Sequence, residues 1–258
     1  LLLSGNKINN EQSNGIKLIM SNQTERNLQY LYARIAGFSY IVFTVAGLIK
    51  NFLLNTKLSD VNVIQANGIF ENEMHFRLGI AAEIIMFLGV LMASVSFYVV
   101  LKSVNKQLAL TALCLRLWEI ILGGMAVVVS MAMLALASGT YFLEKFDLEQ
   151  LHTFATLSQA LWISAYEYSW IAMGFAGVIT FYLFFKTRYI PRVLSVWGIV
   201  TYLSLILYPL AKILIPDLPR EVMFVMFPGA LFELLVGIWL LTMGINIPID
   251  GDSHSTDA

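Results

Sequence analysis

Apolar residues gather in six long runs, at 35–54, 78–101, 108–137, 170–185, 193–215 and 222–245, with polar residues confined to the short stretches between them. A helix crossing a hydrocarbon core about 30 Å thick needs roughly 20 predominantly apolar residues. Five runs meet that length, and the fourth meets it when 162–168 is added. The third is long enough to tilt or to project beyond the hydrocarbon. None alternates inside and outside over about ten residues as a barrel strand does, so the pattern predicts helices. The predicted fold class is all-α: a polytopic transmembrane helical bundle of about six spans over residues 30–246.

The flanks read differently. Residues 1–29 are rich in Asn, Ser and Gly and are expected to be disordered, with Met20 as a natural start and 1–19 upstream of it. They lack the basic and apolar regions of a signal peptide. Residues 247–258 are expected to form a disordered polar tail. Between spans, 55–75 is a long loop. In 147–165, Leu148, Leu151, Phe154, Ala155, Leu161 and Trp162 recur at helical spacing. Two readings stay open there: an amphipathic helix lying on the outer surface, or a simple extension of the fourth span. Tyr166, Tyr168 and Trp170 fit an aromatic belt at the outer interface.

Charge sets the expected orientation. The tight turns KSVNK (102–106) and KTRYIPR (186–192) are basic, whereas the segments on the other side carry Asp60, Glu71, Glu73, Glu144, Asp147 and Glu149. The excess of Lys and Arg on the first side places both termini in the cytoplasm.

Composition supports a lipid-solvated chain, with 58% hydrophobic and 13% charged residues and a mean hydropathy of +0.74. Acidic and basic residues nearly cancel, 17 against 16, with no basic stripe, so membrane lipid rather than nucleic acid is the expected partner. A small-molecule ligand and an oligomeric or membrane-protein partner remain open. Cys114 is the one cysteine and is expected as a small buried hydrophobe.

Ionisable residues at membrane depth are the informative exceptions, because each costs at least about 2.5 to 3.5 kcal/mol to insert. Counting about 1.5 Å per residue, Glu83 lies about 10 Å inside its span, Arg116 about 12 Å, and Glu119 and Glu233 about 16 Å. Arg116 and Glu119 share a helix face and can pair. If spans two, three and six are neighbours, one arginine faces three carboxylates, leaving a surplus of negative charge that a proton or a cationic ligand would balance. The alternative is a polar knot that only holds helices together. Pro209 and Pro228 interrupt spans five and six, freeing the carbonyls of Leu205 and Phe224 and predicting kinks. Gly89, Ala93, Gly123, Gly124, Gly174 and Gly177 suit close helix approach.

His75 follows Glu71, and His152 follows Glu149, at helical spacing. Two ligands do not make a metal site, so no metal is expected and these are weak candidates. No phosphate-cradling glycine loop, G-x-S-x-G or H-E-x-x-H pattern occurs, so no catalytic residue or cofactor is expected and an enzyme is the weakest reading.

The segments ARIAGFSYIVFTVAGL (33–48), FRLGIAAEIIMFLGVLMASVSFYVVLKSVNKQLALTALCLRLWEIILG (76–123), FYLFFKTRYIPRVLSVWGIV (181–200) and PGALFELLVGIWLLTMGI (228–245) occur in order. Together they resemble the bacterial domain-of-unknown-function 4386 family over 33–245. The resemblance implies a bacterial multi-span inner-membrane protein and carries no catalytic assignment. Two functional readings follow. One is a small permease-like or sensory protein whose buried carboxyls couple protons or ions or hold a small ligand. The other is a structural or accessory membrane subunit without chemistry of its own.

Overall fold

The apolar runs form helices that each turn a stripe of large apolar side chains outward. In the third run, Trp118, Ile121, Met125 and Val128 are exposed, while Arg116, Glu119, Ala126 and Ser130 are buried. Both sets recur at steps of three, four or seven residues, so each forms one stripe of a helix. A large exposed apolar face on every helix is the inverse of a water-soluble surface and suits contact with acyl chains.

The structure, a computed structural model, describes residues 2–58, 73–138, 144–215 and 217–247. Among the described residues six long helices follow one another: α1 (Leu2–Leu58), α2 (Glu73–Leu101), α3 (Lys106–Ser138), α4 (Leu148–Thr187), α5 (Arg192–Leu214) and α6 (Phe227–Thr242), with a 3₁₀ segment at Arg220–Met226 before the last. All six positions hold a helix long and apolar enough to cross a membrane, and among the described residues there are no strands. Each helix packs on its sequence neighbour, and α1 also packs on α6, closing a ring in which the α5–α6 seam is the sparsest.

Local chemistry marks the ends. The side chain of Asn105 accepts a bond from the Leu108 amide at 3.0 Å and caps α3. At α4, Asp147 and Gln150 form a reciprocal capping box. Arg188 takes the left-handed conformation after α4, and its amide bonds the Phe184 carbonyl at 2.9 Å. The 102–105 and 188–191 turns share one end of the bundle, here the turn end. The chain after α6 is tied there by the Asn246 amide bonding the Tyr189 carbonyl at 2.9 Å. Gln29 bonds the Val100 carbonyl at 3.0 Å and the Ser103 hydroxyl at 2.6 Å at the same end. The opposite end, where the longer connections lie, is the loop end.

Several expectations change. The 1–29 segment, read as disordered, is helical from Leu2 onward. It contains no proline, and a helix already nucleated by its span gains one backbone bond for each further residue fixed. For 147–165, the structure shows the extension: α4 is one helix of 40 residues, with no glycine or proline before Gly174 to break it. At about 1.5 Å per residue it is some 60 Å long, twice the hydrocarbon thickness. Cys114 is exposed on the bundle exterior rather than buried. Pro228 does not interrupt a helix but stands in the first turn of α6, where its missing N–H costs nothing. The Phe224 carbonyl is not free, because the tighter 3₁₀ turn lets the Phe227 amide reach it. Pro209 does lie inside α5 and leaves the Leu205 carbonyl without an α-helical donor. The loop residues 59–72 and the tail residues 248–258 fall outside the described residues.

Candidate functional site

Counting from the turn end at about 1.5 Å per residue, Tyr40 on α1, Arg116 on α3, Tyr202 on α5 and Glu233 on α6 all lie about 14–16 Å in, half-way through the hydrocarbon. The ring brings them together. Arg116 Nη1 donates to Glu119 Oε2 at 2.9 Å along its own helix. Its Nη2 donates to the Tyr202 hydroxyl at 3.2 Å, and its guanidinium sits 5.3 Å from the centre of that ring. Tyr202 donates to Glu233 Oε1 at 3.3 Å, and Thr44 donates to Glu233 Oε2 at 3.4 Å. The Tyr40 and Tyr202 hydroxyls are 2.9 Å apart. Because a phenol has one proton and Tyr202 gives its own to Glu233, Tyr40 is the donor of that pair.

Tyr202 is therefore the hub, joining the charges of α3 to the carboxylate of α6. It is fully buried, and a Cβ on Gly177 of α4 would occupy the space its ring now fills, which is why glycine suits that position. Phe181 stacks on the same ring at 5.6 Å, and Phe232 meets it edge-on at 6.3 Å. Arg116 and Glu119 are only 6% and 4% exposed, whereas Glu233 is half-buried beside the sparse α5–α6 seam. On the turn-end side, Arg116 closes a cavity lined by Ser94, Phe97, Tyr98, Ala112 and Thr180, with room for about one water molecule.

Glu83 is not part of this chain. It lies about 27 Å from the turn end on α2, at 0% exposure, in a second cluster some 12 Å or more nearer the loop end. Trp162 Nε1 donates to it at 3.3 Å, Ser130 at 3.3 Å, and the Tyr166 hydroxyl through a short bond. Its cation is Lys50 of α1, whose ammonium stands 3.8 Å from the centre of the Tyr166 ring and 5.0 Å from that of Trp162. One expected cluster between spans two, three and six is thus two clusters, because α6 packs against α1 and α5 rather than against α2. Among the described residues no three His, Cys, Asp or Glu side chains gather around one point. His75 lies in the first turn of α2, away from Glu233, and the His152 side chain is outside the described residues.

The model of the domain of unknown function DUF4386 matches residues 35–244. The chain belongs to the DUF4386 family. No curated protein and no solved structure matches it significantly. The matched region of this DUF4386 chain contains both polar clusters in full, from Tyr40 to Glu233.

The residues that sequence reasoning missed had signals of their own. Lys50 lies inside the first predicted span, and a lysine followed by Phe52 and Leu53 within an apolar run is itself a charge at membrane depth. Tyr166, which fits an interfacial belt by its position, is buried, with its hydroxyl on Glu83. Tyr40 and Tyr202 sit mid-span, where a phenol needs a partner for its hydroxyl.

Proposed function

We propose that this DUF4386 protein is a small permease-like or sensory membrane protein in which Glu233 takes up and releases a proton, and the Arg116–Tyr202–Glu233 chain passes that change of charge between α3 and α6. One observation carries the reading: a single tyrosine hydroxyl links a buried ion pair to a half-buried carboxyl at the sparsest seam of the ring. A proton needs no cavity, whereas the space beside Arg116 suits about one water and no organic ligand. Such an element responds to protonation because losing the Glu233 charge removes the attraction that holds α6 to Arg116 through Tyr202. Burial in hydrocarbon strengthens that attraction. The basic turn end faces the cytoplasm of a bacterium in this reading, with the chain in its inner membrane.

The alternative, a structural or accessory subunit, is favoured by one fact. Among the described residues, no buried side-chain nitrogen or oxygen lacks a hydrogen-bond partner, as a fixed polar knot requires. Infrared difference spectra between acidic and alkaline buffers separate the two readings. Proton exchange predicts a protonated-carboxyl band that vanishes in Glu233→Gln and shifts in Tyr202→Phe. A wild-type spectrum without a titrating carboxyl band supports the structural subunit instead.

A further inference from the structure

The loop-end cluster takes no part in the midplane chain, yet four helices build it. Glu83 comes from α2, Ser130 from α3, Trp162 and Tyr166 from α4, and Lys50 from α1. Trp162 and Tyr166 lie with ring centres 4.9 Å apart at 58°, forming two walls of a corner, and Phe87 stacks on Tyr166 at 6.1 Å. A carboxylate beside two aromatic faces is the recognition chemistry of an organic cation. Here the corner is filled from within, by the Lys50 ammonium.

Lys50 is an imperfect occupant. A primary ammonium is strongly hydrated and carries three N–H donors, which aromatic faces accept only weakly. A quaternary ammonium has no N–H to satisfy, a lower hydration cost and methyl groups that pack on the rings. Lys50 also sits about 31 Å along the helix from Gln29, close to the far boundary of a core about 30 Å thick. Its four-carbon stem can carry the ammonium back to the interface when another cation takes its place.

The geometry points to a binding site for small quaternary or alkylated ammonium compounds formed by Glu83, Trp162 and Tyr166, in which Lys50 is a tethered occupant that the ligand displaces. The site is independent of proton exchange at Glu233, and each can fail without the other.

Displacement is read directly in the wild-type full chain. The protein in lipid nanodiscs is treated briefly with an amine-acetylating ester, in choline chloride or in sodium chloride at matched ionic strength. Modification of Lys50 is then quantified by mass spectrometry against the exposed Lys145. The expected result is a saturable rise in Lys50 modification of at least fivefold with choline. The uncharged isostere of choline, with a quaternary carbon in place of nitrogen, should produce none. Lys50 modification that choline leaves unchanged, or that the isostere raises equally, overturns the proposal and makes Lys50 a permanent counter-ion of Glu83.

Discussion

The two polar clusters contain similar groups and solve the same problem in different ways. At the midplane, Arg116 and Glu119 neutralise one another across a single turn of α3, and a tyrosine hydroxyl carries the connection to other helices. At the loop end, neutral donors from two helices satisfy the Glu83 carboxylate, and the structure places its cation over aromatic rings. The first arrangement makes each charge depend on the other. The second leaves the carboxylate three donors whatever becomes of Lys50. In a hydrocarbon surround the difference matters, because a charge that loses its only charged partner has no water to replace it.

That contrast orders the expected effects of substitution. Arg116→Met strands Glu119 and should cost about 3–5 kcal/mol of stability, measured by unfolding in detergent, while adding Glu119→Gln should recover most of the loss. Lys50→Met keeps the apolar stem and leaves Glu83 its three donors, so a loss of about 1–3 kcal/mol is expected. A loss equal to that of Arg116→Met would erase the distinction. Tyr202→Phe removes the hub hydroxyl without opening a cavity. About 1–2 kcal/mol should be lost, and the effects of Arg116 and Glu233 substitutions should become additive. Thr44→Val breaks only a 3.4 Å bond to a carboxylate and should shift stability by about 0.6 kcal/mol or less.

Much of this was legible from the sequence, for physical reasons. Hydrocarbon imposes its thickness on every span, so the six helices could be counted from apolar runs alone, and the expense of a buried charge singled out Glu83, Arg116, Glu119 and Glu233. The Arg116–Glu119 pair followed from helical spacing. Which helices touch is set by interhelical packing, which apolar sequence barely encodes, so the separation of Glu83 from Glu233 could not be read. A phenol is cheap to bury, so apolar patterning does not mark Tyr40 or Tyr202, and only the partner of each hydroxyl shows what it does. Pro228 misled for a related reason: a proline interrupts a helix or begins one according to the turn before it, and the 3₁₀ segment at Arg220–Met226 decides that here.

Double-mutant cycles on the folded protein test the division into two clusters most directly. One pairs Arg116→Met with Glu233→Gln, the other Arg116→Met with Glu83→Gln. Coupling of about 1 kcal/mol or more is predicted for the first and none beyond about 0.5 kcal/mol for the second. Strong coupling of Arg116 to Glu83, or none to Glu233, would contradict the arrangement described.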